Sequence, residues 1–336
     1  MPGRKRNKPS LPMVRLILAT PLLEDLQAGG FDVQEAIGDF SLKPNDFKDP
    51  ELWIPAAKMY AMVERFAEIS HDPFFGVNSG EKLDPWSWPP MAQAVRHSNS
   101  VGEFLLRFME GTQSDVNSCT YILKSSGDRT TFTESRVTDG GLIPRHNDGY
   151  TVTYLLALLR GAVGLLWDGS KVLAHVCDPT VIPPAYLGIR TAKTDTMGAS
   201  ISFPTKWLLV PIAGDSQHAL EPADSGRANP IPDIVSAFHY SVGPHIHEFD
   251  LDAQRVAELC GLSKRTLARK MKRGGTTVSR EISLMRKTRA SQLLSETDRS
   301  IAEIAAGIGY PDPVVFSRAF KRWTGLSPRD YRKKAP

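Results

Sequence analysis

Arg265, Arg269 and Lys272 recur at intervals of four and three residues within the segment Ser263 to Lys272, where Leu267 and Met271 alternate with them. At about 100° per residue this spacing gives one helix with an apolar side and a cationic side. Such a face suits nucleic acid. An arginine fork can bond guanine O6 and N7 together in the major groove, a contact worth roughly 1–3 kcal/mol of discrimination. Cations nearer the flanks suit phosphate oxygens, which position a protein without specifying sequence. The pattern returns downstream, where Leu267-Ala268-Arg269-Lys270-Met271 is echoed by Phe316-Ser317-Arg318-Ala319-Phe320. In that register Arg269 corresponds to Arg318 and Lys272 to Lys321, whereas Arg265 meets Val314. Base contacts are therefore assigned to Arg265, Arg269, Val314 and Arg318, and phosphate contacts to Lys264, Lys270, Lys272, Arg273, Lys321 and Arg322. Because Val314 has no hydrogen-bond donor, the second face is expected to read a thymine methyl, or DNA shape and backbone. The first face then carries more of the sequence discrimination.

The elements needed to hold these faces repeat as well. Val256-Ala257-Glu258-Leu259 returns as Ile301-Ala302-Glu303-Ile304, so each copy is a short helix, a tight turn and a second helix. That is the layout of a helix-turn-helix, whose second helix enters the major groove. In the first copy Asp252 and Ser263 can cap the two helices, with Gly261 at the turn. In the second, Ile301, Ile304, Ala305 and Ile308 form a packing stripe, Gly309-Tyr310 begins the turn, and Asp312-Pro313 supplies an N-cap followed by proline at the first helical position. Phe316, Phe320 and Trp323 face inward. The units are placed at about 252–273 and 300–324, with a linker helix at about 279–295. A fifteen-residue linker spans about 22 Å, enough with its flanking turns to set the reading helices about one DNA turn, ~34 Å, apart.

Charge is distributed to match. The chain has 336 residues and a net charge of +4, yet Ala253 to Pro336 holds 19 Lys and Arg against 7 Asp and Glu, leaving −8 for the rest. A basic segment joined to an acidic one is the electrostatic footprint of a DNA-binding module fused to a non-binding domain. No apolar run approaches the roughly 20 residues needed to cross a bilayer, and a membrane protein is not expected. The basic tip with Arg4, Lys5, Arg6 and Lys8 reads as a disordered tail rather than an export signal. Three widely spaced cysteines, Cys119, Cys177 and Cys260, fit a reducing cytoplasm and argue against a disulfide framework or a structural zinc. There is no GxSxG, Walker-type loop, HExxH or glycine fingerprint, so no catalytic residues, metal or cofactor are assigned.

The motif Gly261-Leu262-Ser263-Lys264-Arg265-Thr266-Leu267, then Ile301-Ala302-Glu303-Ile304-Ala305, then Gly309-Tyr310-Pro311-Asp312-Pro313 continuing to Arg332, resembles the AraC/XylS family of bacterial transcription regulators over about 85 residues. The resemblance implies a seven-helix DNA-binding domain with two helix-turn-helix units. Family members usually carry a polar residue where this chain has Pro313-Val314-Val315, a departure in line with a second unit that makes fewer base-specific bonds. The first ~220 residues look like the arabinose-binding-type sensor domain of the ornithine-utilisation regulator subgroup, through Phe75-Gly76-Val77-Asn78-Ser79-Gly80-Glu81-Lys82-Leu83, His175-Val176-Cys177-Asp178-Pro179 and Ile201-Ser202-Phe203. That similarity implies a small-molecule sensor or dimerisation domain.

The expected organisation is an α+β sensor domain over 1–228 and an all-α DNA-binding domain over 229–336. Within the first, helices are expected at 24–40, 52–70 and 100–110. A hairpin should run from Cys119 to Val137, a long apolar helix should follow Asp148, and strands are expected at 171–176 and 199–203. Residues 221–232 read as an interdomain segment, followed by a helix near Asp233. Trp86, Trp88, His97, Arg145, His146 and Tyr150 are the candidates for an effector pocket, since such sites are largely apolar with a few convergent polar groups. His175 and Cys177 share a strand face but lack a visible set of further metal ligands. Double-stranded DNA, a small-molecule effector and RNA polymerase are the expected partners of a cytoplasmic homodimer, and activation and repression both stay open as the sign of control. Two alternatives stay open, a constitutive dimeric regulator without a ligand and an enzyme fused to a DNA-binding tail.

Overall fold

The computed structural model describes residues 10–83, 89–112, 116–137, 144–194, 198–212 and 231–334. Two compact units emerge. One is Pro12–Ile231, and the other is Pro232–Pro336 together with the described end of the Met1–Leu11 segment. The interdomain segment expected at 221–232 lies almost wholly outside the described residues.

In the larger unit, β1 (Met13–Arg15) pairs antiparallel with β2 (Trp53–Pro55). A five-stranded sheet runs in the order β3, β4, β7, β5, β6, from β3 (Cys119–Ser126), β4 (Arg129–Arg136), β5 (Leu173–Val176), β6 (Arg190–Lys193) and β7 (Gly198–Pro204). All its pairings are antiparallel except β5 with β6. The helices are α1 (Thr20–Ala28), α2 (Val33–Gly38), α3 (Ala56–Ser70), α4 (Phe75–Glu81), α5 (Pro89–Arg96), α6 (Val101–Gly111) and α7 (Arg145–Val163).

Two apolar clusters organise this unit. Leu155, Leu156, Leu158 and Leu159 of α7 pack with Phe104 and Phe108 of α6 against Phe132, Ile201 and Phe203 of the sheet. Met59, Met62, Val63 and Phe66 of α3 pack with Leu22, Leu23 and Leu26 of α1 around Phe47. Full burial of each such side chain stabilises by roughly 1.5–3 kcal/mol.

Four expectations need correcting. Trp53–Pro55 is strand rather than the start of a helix, because it pairs with Met13–Arg15 and the Arg15 guanidinium sits 4.7 Å over the Trp53 ring. The single helix expected at 24–40 is two, separated by Gly29-Gly30. Asp148 does not precede α7 but lies inside its first turns, fully buried and ion-paired with Arg136 of β4. Strand β6 was not expected at all. One helix among the described residues, Arg145–Leu166, reaches the length and hydropathy of a membrane span, against the expectation that no run comes near it. It is the core helix of the unit, with 61% of its most apolar stretch buried.

The smaller unit is helical: α8 (Ile234–Val242), α9 (Ala253–Leu259), α10 (Lys264–Arg273), α11 (Val278–Glu296), α12 (Ile301–Gly307), α13 (Pro313–Thr324) and α14 (Pro328–Lys334). Side-chain caps set the starts. Asp233, Asp252, Ser263, Thr277, Ser300 and Asp312 each accept backbone N–H bonds at the head of the helix that follows, each worth typically ~1 kcal/mol. Gly261 (φ 62°) and Gly309 (φ 80°) turn the chain between α9 and α10 and between α12 and α13. A Cβ at Gly309 would lie 2.6 Å from the Ile246 carbonyl oxygen and 2.7 Å from that of Glu248.

Gly309→Ala is therefore expected to destabilise the protein by about 2–4 kcal/mol in urea titration, through both the disfavoured φ and the clash. Gly307→Ala, whose Cβ meets nothing within 4 Å, should be neutral or slightly stabilising. Equal midpoints for the two variants would contradict this account.

Candidate functional site

Helix α10 starts where the Ser263 hydroxyl accepts the Thr266 N–H, and it is seated by the buried Leu267 and Met271. Seating these two side chains leaves Lys264, Arg265, Arg269, Lys272 and Arg273 exposed. Helix α13 starts at Asp312, with Pro313 in its first turn, and is seated by Phe316, Ala319 and Phe320. Phe320 meets Trp323 and Tyr331 edge to face at 6.4 and 5.2 Å, and Tyr310 packs on Phe316 at 5.9 Å. Val314, Arg318, Lys321 and Arg322 are left exposed, Val314 at 57%. Among the described residues none of these eight cations is held in an ion pair. Lys270 differs. It is half-buried, and its ammonium donates to the Ser10 carbonyl at 2.8 Å.

Helix α11 ties the two helix pairs together. Its Arg286 donates to the carbonyls of Ile246 and Glu248, both at 3.3 Å, and lies 5.2 Å over the Tyr310 ring. Glu281 at its head is buried and accepts hydrogen bonds from Thr276 and from His239 of α8. Glu248 is fixed by Arg255 at 3.0 Å and His245 at 2.6 Å, and hydrogen bonds from both hold its carboxyl down at about 2. The sequence places Glu281 and Arg286 on the linker helix but does not show their partners His239, Ile246 and Glu248, which lie about forty residues away.

In the larger unit, a cavity of about 410 Å³ lies where α1 and α3 face the hairpin β3–β4 and helix α7. Leu22, Met59 and Val63 form its apolar side, and Tyr60, Tyr121, Tyr150 and Tyr154 its aromatic side. Hairpin register brings Tyr121 directly opposite Glu134, and the Tyr121 hydroxyl donates to the carboxylate at 3.0 Å. Burial pushes the Glu134 carboxyl above its usual range, offset in part by Arg136. That guanidinium is committed elsewhere, in a buried pair with Asp148, which also accepts the Cys177 N–H at 2.9 Å.

Of the described residues proposed for an effector pocket, only Tyr150 lines this cavity. Trp86 and Trp88 lie outside the described residues. His97 is exposed. Arg145 is half-exposed and reaches Glu64 at 3.4 Å and Asp178 at 3.9 Å, an arrangement of surface ion pairs. His146 is buried with its backbone N–H on Glu64 at 2.6 Å, and burial depresses its basicity. Glu134, Tyr121 and Tyr154 were missed. The available signal was the alternation of Phe132, Glu134 and Arg136, which puts two opposite charges on the buried face of β4. His175 contacts Ser200 at 3.4 Å, and the Cys177 thiol is pushed up to about 12 by burial and by Asp148. Among the described residues no group of three or more His, Cys, Asp and Glu could hold a metal ion.

Comparison with known proteins bears on both units. Residues 256–334 match a family model described as a helix-turn-helix domain, and residues 30–177 match the arabinose-binding domain of AraC transcription regulators, N-terminal. The chain is 33% identical over 101 residues to the MmsAB operon regulatory protein of Pseudomonas aeruginosa, covering 30% of this chain and 33% of that one. It is 38% identical over 82 residues to the ornithine utilization regulator of the same organism, 24% of each. The matches thus span a quarter to a third of these relatives' lengths. The crystal structure of transcriptional regulator CdpR from Pseudomonas aeruginosa aligns over 94% of this chain and 98% of its own, at 18% identity and a TM-score of 0.39.

The raised Glu134 carboxyl has a consequence for stability. Folding favours its protonated form, so its contribution is complete below the ordinary carboxylate range and is lost as pH rises through the folded value. Glu134→Gln, which keeps the shape without the charge, should melt at a higher temperature than wild type at pH 8 and match it at pH 4. A variant less stable at pH 8 than at pH 4, relative to wild type, would show that the carboxylate is satisfied where it stands.

Proposed function

Because this chain belongs to the AraC family of transcription regulators, we propose that it is a sequence-specific DNA-binding regulator whose occupancy of a promoter is set by a small molecule held in the Pro12–Ile231 unit. The single observation that carries this reading is the pair of capped helices α10 and α13. Each buries an apolar side and exposes an arginine in the same register.

In this reading α9–α10 and α12–α13 are two helix-turn-helix units, with α10 and α13 in successive major-groove segments. Arg265, Arg269 and Arg318 meet base edges. Lys264, Lys272, Arg273, Lys321 and Arg322 meet phosphates. Val314 and Val315 at the head of α13 offer methyl contacts rather than donors. Lys270, held at Ser10, contributes less than its neighbours. The nineteen residues of α11 span about 28 Å, which supports a separation near one DNA turn.

The larger unit acts as sensor and dimerisation domain. The cavity beside Glu134 supports a sensor over a purely constitutive dimer, since it offers a defined place for an effector. By linkage the effector acts only through different affinities for the DNA-competent and incompetent states. In this reading the protein works in the cytoplasm as a homodimer that acts at the promoter.

Arg269→Ala and Arg318→Ala are each expected to weaken specific binding by about 1–3 kcal/mol and to relax preference at one position. Lys272→Ala should weaken specific and non-specific DNA alike and flatten the slope of log K against log salt by about 0.9. Anisotropy titrations across a salt series separate the two effects. Unchanged affinity and sequence preference in both arginine variants would exclude these helices from the grooves.

A further inference from the structure

The cavity of the larger unit carries information about the class of molecule it takes. Its lining is aliphatic and aromatic apart from a few hydroxyls, one thiol, Asn147 and the Glu134 carboxylate, and among the described residues it includes no Lys, Arg or His. A carboxylate or phosphate ligand would find no counter-charge there. A sugar would leave most of its hydroxyls against aliphatic walls, and a buried polar group without a partner costs roughly 1–3 kcal/mol.

Glu134 is the anomaly. It is nine-tenths buried and faces the cavity with Tyr121 and Thr151 as its hydrogen-bond donors. Arg136, the buried cation that acts on it, pairs with Asp148. Among the described residues two carboxylates thus share this guanidinium, and ionised Glu134 leaves the cluster one positive charge short. Tyr121, Tyr150 and Tyr154 line the same space beside Tyr60, whose ring already carries the Arg136 guanidinium at 5.7 Å, and aromatic faces attract cations within about 6 Å. Tyr121 stacks on Phe132 at 5.7 Å and meets Phe108 edge on at 5.0 Å, and Tyr154 packs on Phe108 at 6.1 Å, so these rings are braced from beneath.

We propose that the cavity binds an apolar organic cation, a protonated amine or quaternary ammonium on a hydrocarbon or aromatic body, with Glu134 as its counter-ion and the tyrosine rings as its cage. This rests on reading the larger unit as a sensor and specifies what it senses. The ammonium supplies the missing charge and the body fills the aliphatic side. Because burial favours the protonated carboxyl in the empty cavity, binding of the cation releases a proton from Glu134 and tightens as pH rises toward the amine's own pKa.

Three probes of one shape test this on the full-length protein by calorimetry: 4-phenylbutylamine, 4-phenylbutanol and 4-phenylbutyrate. The expected order is amine far ahead of alcohol, by at least about tenfold, with no measurable binding of the carboxylate; tenfold is about 1.4 kcal/mol. Glu134→Gln should abolish the preference for amine over alcohol, with its circular-dichroism spectrum and cooperative melting retained as the check that the larger unit is folded. Should that variant fold poorly, the ranking on wild type and the higher amine affinity at pH 8 than at pH 4 decide alone. Equal binding of amine and alcohol, tighter binding of the carboxylate, or no binding of any probe overturns the proposal. An alcohol that binds best and shifts DNA affinity would overturn the cation yet leave the sensor intact. An amine that binds as described with no effect on DNA affinity would leave the cation site and remove the sensor.

Discussion

A guanidinium enclosed between strand and helix holds the larger unit together. Arg136 ends β4, Asp148 lies in the first turns of α7, and both side chains are almost completely withdrawn from water. Removing one partner of such a pair typically costs 3–5 kcal/mol, because the other is left charged in a poor solvent. The pair therefore fixes the seating of the core helix on the sheet. It also commits most of the positive charge that Glu134 would otherwise use, so a requirement of packing leaves in the cavity wall a carboxylate that Arg136 offsets only in part.

The same economy of partners shapes the smaller unit. Apart from the nineteen-residue α11, its helices run from seven to twelve residues, too short to persist alone in water. Caps settle where each begins, aromatic packing around Phe316 and Phe320 settles which side is buried, and whatever is left over faces out. Cationic faces on α10 and α13 are in this sense remainders of the packing problem, which is why the two copies keep one register although their exposed residues differ at Arg265 and Val314.

How much of this could be read in the chain follows from the range of the interactions. Asp252, Ser263 and Asp312 were legible as caps because the donors they satisfy lie two or three residues away. The hairpin was legible from alternation across Ser126-Gly127-Asp128. Asp148 was not, since an acidic residue before an apolar run has the same local pattern whether it caps the helix or is buried by an arginine twelve residues earlier. Trp53–Pro55 depends on a partner strand some forty residues upstream. The cavity was least legible of all: Tyr121, Glu134 and Tyr154 converge only once hairpin register and helix seating are both fixed, whereas the tryptophans and histidines that attracted notice did so by residue type alone.

Arg286 links segments on either side of α11 by gripping the Ile246 and Glu248 carbonyls while lying against Tyr310. The two helix pairs are thereby clamped to one rod at a fixed rotational phase. A single residue inserted into that rod would swing one pair by about 100° relative to the other. On the proposed reading the matching constraint falls on the DNA: a base pair added between the segments assigned to α10 and α13 would turn one of them by roughly a tenth of a helical revolution, so phasing as well as letters would define a target site.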